Sequence, residues 1–175
     1  HTEIGGVESN ISEGDEIASG VTIVLVYDKD ESQTKELAYT VRHETNGTIR
    51  NSTTYKETVW INDASIIDIV AGSLNPNTYV GYAFSHIEID GVRVDGAITE
   101  VEDGKVIVLK YVEDRTRTKD VNYTVQHIVG GVIRDTHTYT DKVWVNDQSL
   151  ITVVAGSLSE RSYIGYDYSH IEIGG

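Results

Sequence analysis

The sequence contains no cysteine, no methionine and a single proline among its 175 residues. Without cysteine, neither a disulfide framework nor a thiolate zinc site can form. No apolar run approaches the roughly 20 residues of a membrane-spanning helix, so no membrane span is predicted. Basic residues are also few, since 14 Lys and Arg stand against 28 Asp and Glu, a formal net charge of −14. That charge repels phosphate backbones and argues against nucleic acid as a partner.

What the chain does contain is an internal repeat. Residues 163–173 repeat residues 79–89 at an offset of 84, and the same offset maps residues 59–63 onto 143–147. About half of the positions from 21 to 85 are identical in the second copy, and His1 opens a third instance of the His-x-Glu-Ile motif. The period is longer than the layers of solenoid proteins, which predicts a small domain per repeat.

The repeat allows two domain divisions. One places repeat unit 1 at residues 1–85 and repeat unit 2 at residues 86–175. The other shifts the phase, so that 31–114 is one closed unit with incomplete units at 1–30 and 115–175.

The shifted phase leaves a strand-like segment over at residues 21–27. Such a strand can complete the truncated unit of a neighbouring molecule, because donated strands satisfy open sheet edges. Strand exchange between molecules is therefore an open alternative.

Each unit reads as a pair of strands joined by a tight turn. Apolar and polar residues alternate strictly over residues 37–43 and again over 121–127, which predicts half-buried strands. Asn46-Gly47 and Gly130-Gly131 follow, and both dipeptides suit the positive φ angles of a hairpin turn. On the return strand, the odd positions are predicted to face the core: Ile49, Tyr55, Val59 and Ile61.

The segment after the return strand is predicted to be a short helix. Ile66, Ile67 and Val70 have helical spacing, with Asp63 as the cap and Gly72 as the end. The second copy reads more like a strand in the same place. The fold class is therefore predicted as mainly β, α+β at most, with antiparallel hairpins and at most one short helix per unit.

Three features that recur in both units, together with one closing strand, form a pattern that resembles a known family. They are the Tyr-Thr-Val strands at Tyr39 and Tyr123, the hairpin glycines Gly47 and Gly131, the Gly-Tyr pairs at Gly81 and Gly165, and the closing strand 106–112. Over nearly the whole chain, this pattern resembles the mucin-binding-protein type (MucBP-like) repeats of bacterial, mainly Gram-positive, cell-surface adhesins. The resemblance implies tandem β-grasp-like (ubiquitin-like) units, a location at the bacterial cell surface or cell wall, and a non-catalytic role.

The candidate ligand-binding residues are the repeated tryptophans and asparagines Trp60, Asn62, Trp144 and Asn146. A solvent-facing indole stacks well on a sugar ring, and an amide beside it binds hydroxyls. The alternative is that each tryptophan packs under its own loop, as tryptophan usually does in a small β domain.

Other chemistry is not expected. Ser85, His86 and Glu88 superficially suggest a catalytic triad, but alternation along a strand predicts that Ser85 and His86 cannot easily hydrogen-bond as nucleophile and base. The histidines lack metal-ligand spacing, so no metal, cofactor or catalytic residue is predicted. Lys35 and its copy Lys119 lie in polar stretches, so no isopeptide crosslink is predicted.

These observations predict a non-enzymatic tandem repeat of an exported, extracellular bacterial surface protein. It would adhere to host mucin, another glycoprotein, a glycan or an extracellular-matrix protein, or act as a stalk that spaces a distal adhesin head. Its other partners would be neighbouring repeats of the same chain. The alternative is a carbohydrate-binding accessory module attached to a secreted glycosidase, which exposed tryptophans would favour.

Overall fold

The computed structural model describes residues 2–4 and 7–174, and for residues 2–4 and 7–9 it describes the backbone only. His1 of the third His-x-Glu-Ile motif lies outside the described residues. The prediction of a mainly β fold is confirmed, and no described residue is helical. Within these residues the strands are β1 (Thr2–Ile4), β2 (Val7–Ser9), β3 (Ile23–Leu25), β4 (Thr34–Thr45), β5 (Thr48–Trp60), β6 (Ile66–Asp68), β7 (Tyr82–Ile89), β8 (Val92–Val94), β9 (Glu100–Glu102), β10 (Val106–Glu113), β11 (Thr118–Val129) and β12 (Val132–Trp144).

The largest sheet has five strands in the order β5-β4-β10-β7-β8. Its central pair, β4 and β10, is parallel, and the other neighbours are antiparallel. Alternate residues of the central pair form the core, and all are at most 3% exposed: Leu37, Tyr39, Val41, Ile107 and Leu109. Each such burial stabilises the fold by about 1.5–3 kcal/mol before the loss of chain entropy.

Both predicted hairpin turns are confirmed. Asn46 and Gly47 have φ angles of 47° and 76°, and Gly130 and Gly131 have 58° and 80°. Two successive positive φ angles match the right-handed twist of the flanking strands. On the return strand, Tyr55 and Val59 pack against the core as predicted. The prediction is wrong for Ile49 and Ile61, which are 49% and 45% exposed, and at Ile49 a bulge between His43 and Glu44 shifts the register.

The predicted helix after Asp63 is wrong. Residues 66–68 form β6, which pairs antiparallel with β9, and the Ile67 side chain is only 2% exposed. The Asp63 carboxylate accepts a hydrogen bond from the backbone N–H of Trp60 (3.2 Å) and so closes a turn instead of capping a helix. The isoleucines are β-branched, and a partner strand more than 30 residues away decides their conformation.

The two ends of the chain carry parts of the same sheet pattern. The β2-β1-β3 sheet has the register of β8-β7-β10, and the β11-β12 hairpin has the register of β4-β5, including the bulge. Within the described part of the chain, no helix is long and apolar enough to cross a bilayer.

Candidate functional site

Trp60 packs on the turn that precedes its own hairpin. Its indole N–H donates to the carbonyl of Asp30 (2.8 Å), and the Lys29 ammonium lies 4.7 Å from the ring centroid. The Asp30 carboxylate accepts hydrogen bonds from the backbone N–H and hydroxyl of Ser32, which lower the Asp30 pKa. The ring is half-buried, and Asn62 after it is exposed.

Trp144 makes the same turn contacts and additional ones. Its indole N–H donates to the carbonyl of Asp114 (3.0 Å), and the Arg115 guanidinium lies 5.0 Å from its ring. Tyr82 of the preceding sheet meets the ring edge-on at 5.6 Å, and Trp144 is only 8% exposed. The Asn146 amide donates to the carbonyl of Val80 (2.8 Å). Two of the four predicted ligand-binding residues therefore lie in a contact between the two repeats, here called the junction.

Gly81 is the point of closest approach in the junction. Its φ is +77°, and a Cβ there would meet the Asn146 amide nitrogen, the Val145 Cγ1 at 2.9 Å and the Trp144 Cε2 at 3.1 Å. Gly165, its repeat, has φ +78° and no atom within 4 Å of the same position. The glycine at position 81 is thus required by the conformation and by the neighbouring repeat.

Ion pairs border the junction. Arg115 contacts the Glu113 carboxylate at 2.7 Å and the Asp147 carboxylate at 3.6 Å. The Asn46 amide donates to Glu113 (2.9 Å), and this bond together with Arg115 lowers the Glu113 pKa. Arg115 and Asp147 are solvent-exposed and Glu113 is half-buried, so these ion pairs orient the chain more than they stabilise it.

A cleft occurs at the same place in both repeats, between the hairpin and the Ala-Gly-Ser-Leu loop. In the first repeat, Tyr39 holds that loop: its hydroxyl accepts from the Val70 N–H (2.9 Å) and lies 3.3 Å from the Ser73 hydroxyl. In the second repeat, Tyr123 contacts Val154 and Ser157 in the same way, at 2.8 Å each. These bonds explain why the tyrosine and the serine both recur.

The two clefts differ in chemistry. The first has a volume of about 160 Å³ and is lined by amides and hydroxyls, including Asn51, Asn75 and Asn77. The second is about 120 Å³, and an Arg161–Asp135 ion pair at 2.8 Å crosses its lining. Both are smaller than the roughly 300–1,000 Å³ of ordinary small-molecule sites. Each has room for part of a sugar ring or one side chain.

Ser85, His86 and Glu88 form a hydrogen-bonded chain, contrary to the prediction. The Ser85 hydroxyl lies 2.9 Å from the His86 Nδ1, and the His86 Nε2 lies 3.1 Å from the Glu88 carboxylate, which lowers the Glu88 pKa. The alternation rule fixes Cβ directions only, whereas terminal atoms can lean along the strand. A triad has the serine on Nε2 and the carboxylate on Nδ1, so the roles of the two nitrogens are reversed here.

His43 is the buried histidine of the core. It is 4% exposed, its Nδ1 lies 2.9 Å from the Tyr111 hydroxyl, and burial lowers its pKa. Burial also raises the Tyr111 pKa, and the Tyr111 hydroxyl accepts a hydrogen bond from the Asn77 N–H at 2.7 Å. Within residues 2–4 and 7–174, no three His, Asp or Glu side chains converge as a metal site would require.

Comparison with family models, with curated proteins and with solved structures found no match to this chain. The sequence pointed to the tryptophans but not to the clefts or to Gly81 as a contact residue. Two recurring sequence features could have indicated them: the Ala-Gly-Ser-Leu loop for the clefts and the Gly-Tyr pair for the Gly81 contact. Their spatial neighbours lie 30 to 65 residues away in sequence, which local patterns do not encode.

Proposed function

We propose that this chain is a non-enzymatic tandem repeat of an exported bacterial surface protein, located outside the cell at its surface or wall. Its repeats would serve chiefly as a stalk that spaces a distal adhesin head. Direct adhesion to host mucin or another glycoprotein would be a weaker activity, multiplied by tandem copies.

The junction carries this proposal. Trp144, the side chain best suited to stack on a sugar, is 8% exposed and packs against Tyr82 of the preceding repeat. The Asn146 amide donates its hydrogen bond to the Val80 carbonyl of the preceding repeat. A stalk needs consecutive repeats that hold a fixed orientation, and a buried aromatic contact with a hydrogen bond beside it supplies that.

We also infer the shifted phase, with residues 31–114 as one closed β-grasp-like unit. Supporting this, the sheet order β5-β4-β10-β7-β8 has a parallel central pair. β4 lies near the start and β10 near the end of residues 31–114, and the two strands pair directly. A unit that ended at residue 85 would lack β10.

The alternative function is a carbohydrate-binding accessory module of a secreted glycosidase. The first cleft favours it, since Asn51, Asn75 and Asn77 amides beside the Tyr55 ring match the hydroxyls and apolar face of a sugar. The small volume of that cleft and the ion pair that replaces its amides in the second repeat argue against a shared glycan site.

Small-angle X-ray scattering tests the stalk directly. Trp144→Ala removes the junction contact, so its distance distribution should broaden relative to the parent chain. Trp60→Ala, at the equivalent position of the first repeat, removes the same turn contacts, but in the described residues no ring packs on Trp60 as Tyr82 packs on Trp144, so the distribution should be unchanged. Equal curves for all three proteins would contradict the proposal.

A glycan and mucin array separates the two functions. A stalk predicts no strong binding to any single sugar. Tight binding to one sugar that is lost in Trp60→Ala, or in Asn75→Ala in the first cleft, would overturn the stalk and establish the accessory module.

A further inference from the structure

The first cleft contains a hydrogen-bond donor that no protein group satisfies. The Tyr111 oxygen accepts the Asn77 N–H at 2.7 Å, so the Tyr111 hydrogen is left to be donated to the His43 Nδ1, 2.9 Å away. Burial lowers the His43 pKa, so the ring is neutral near neutral pH and carries one proton. Because Nδ1 is the acceptor, that proton lies on Nε2. In the described part of the chain, no protein atom accepts a hydrogen bond from Nε2.

The His43 ring belongs to the wall of the cleft. His43 is among the lining residues and is 4% exposed, so the core behind it fixes the position of the ring. Its Nδ1 is bonded to Tyr111, and Nε2 is the polar atom that the ring has left for the cleft. A buried donor without a partner is unfavourable. The site therefore favours a ligand that brings an acceptor oxygen.

Three side-chain amides surround this donor. They belong to Asn51, Asn75 and Asn77, and in the described residues none of them hydrogen-bonds to protein. Each amide can both donate and accept, as sugar hydroxyls do. Val41 and the Tyr55 ring add apolar surface, and none of the residues found to line the cleft is charged. The lining therefore suits a neutral ligand with a carbonyl oxygen, a small apolar part and hydroxyls.

The second repeat shows that the fold does not require these amides. The copies of the three asparagines are Asp135, Ser159 and Arg161, and Arg161 pairs with Asp135 at 2.8 Å. The hairpin keeps its register without them, and the Tyr123–Ser157 bond still holds the loop. A structural role for the three asparagines would have kept them in both repeats. Their presence in the first repeat alone points to a ligand there.

We propose that the first cleft binds the acetamido group of an N-acetylated sugar. The acetyl oxygen accepts the His43 Nε2–H, the methyl group packs on Val41 and Tyr55, and the ring hydroxyls bind the three amides. A volume of about 160 Å³ holds a group of the size of benzene, which suits an acetamido group and the adjoining ring edge. An acetylated lysine side chain brings the same group but no hydroxyls for the amides. The net charge of −14 disfavours acidic sugars.

This site rests on the weak adhesion proposed above and names its ligand. One small group in a partial pocket gives an affinity of roughly millimolar, which leaves the stalk as the chief role. The two proposals fail separately. The scattering of Trp144→Ala depends on the junction alone, whereas a sugar titration depends on the cleft alone.

NMR titration of the full chain with N-acetylglucosamine tests the ligand. The side-chain amide signals of Asn51, Asn75 and Asn77 should shift, with a Kd of roughly millimolar. Glucose has a hydroxyl in place of the acetamido group, so it should bind at least about tenfold more weakly, because the His43 donor then lacks its acceptor. Equal binding of the two sugars, or no shift at the cleft, overturns the proposal. So does N-acetyl-lysine that binds as tightly as N-acetylglucosamine.

Two asparagine variants form a matched pair for the same titration. Asn75→Ser introduces the residue that the second repeat has at this position, and it should weaken binding of N-acetylglucosamine about two- to tenfold through one lost hydrogen bond. Asn122→Ser is the control, because Asn122 is exposed and lies outside the cleft, so binding should be unchanged. Equal affinities in both variants would overturn the proposed site.

The His43 ring provides a measurement that needs no variant. Long-range ¹H–¹⁵N spectra distinguish a protonated ring nitrogen from a bare one, and they should place the His43 proton on Nε2 in the free chain. Addition of N-acetylglucosamine should move the Nε2 signal, and glucose should move it less. A proton on Nδ1, or an Nε2 signal that saturating N-acetylglucosamine leaves unchanged, overturns the proposal.

Discussion

At the scale of single residues, identical side chains have different environments in the two repeats. Trp60 and Trp144 both donate to the carbonyl of an aspartate that is held in a tight turn by a hydroxyl residue two positions later. Lys35 and Lys119 both donate to the carbonyl of the residue three after the tryptophan. These contacts are local and therefore recur. In the described part of the chain, Trp144 alone also packs against an aromatic side chain of the neighbouring repeat, Tyr82.

Gly81 allows a matched test of that neighbour. Gly81→Ala and Gly165→Ala should each lose about 1–2 kcal/mol of unfolding free energy from the positive φ angle. Gly81→Ala should lose a further ~1–3 kcal/mol, because its methyl group collides with Trp144 and Val145. Urea unfolding measures the difference. Equal losses in the two variants would show that the junction does not form in solution.

His43 predicts a pH dependence of stability. Burial lowers its pKa from 6.5, so below that pH the unfolded chain binds a proton that the folded chain excludes. The contribution of His43 is complete above about pH 6.5 and declines as the pH falls toward the lowered value. Thermal unfolding midpoints from pH 7.5 to 5 should therefore drop less in His43→Gln than in the parent chain. Parallel pH profiles would contradict this prediction.

At the scale of elements, β10 holds the large sheet together. It lies between β4 and β7, and its three inward side chains, Ile107, Leu109 and Tyr111, are at most 4% exposed. The same central position gives it polar contacts on the other face, where Lys110 lies 2.6 Å from Glu44 and 3.5 Å from Glu88. The bond to Glu44 raises the Lys110 pKa.

Removal of one buried side chain of β10 should be costly. Leu109→Ala should lower the free energy of unfolding by about 2–5 kcal/mol, because the lost transfer energy adds to the cost of the cavity. Val112→Ala on the same strand is the control, since Val112 is 50% exposed and should change stability by about 0.5 kcal/mol or less. Chemical denaturation measures both. A loss below 1 kcal/mol for Leu109→Ala would mean that β10 is not central in solution.

At the scale of the whole molecule, nearly identical sequences have different structures according to their partners. Residues 82–89 form β7 beside β10, whereas their copy at residues 166–173 contains no strand in the described chain. The side chains show the same contrast: Ile87 and Ile89 pack against the core, while Ile171 is 53% and Ile173 is 99% exposed.

Hydrogen exchange should reveal this contrast in dilute solution. Amides of residues 83–89 should exchange slowly, and those of residues 167–173 rapidly, because only the first set is tied to β10. The two segments differ little in sequence, so each serves as the control for the other. Equal protection would contradict the structure.

The sequence determined much of the local structure by itself. Alternation placed Leu37, Tyr39 and Val41 on the buried face, and the two hairpin dipeptides placed their turns, because both signals depend only on neighbouring residues. The repeat also followed directly from the order of the residues.

Tertiary structure decided the rest. Ile66 to Asp68 became a strand because β9 lies beside it, and Trp144 became buried because Tyr82 of the preceding repeat covers it. Ser85 reaches His86 through side-chain rotation that alternation does not describe. In each case the local conformation or burial depends on a contact with a group that is distant in sequence or flexible. The stabilisation from burial and hydrogen bonding exists only when that contact is made.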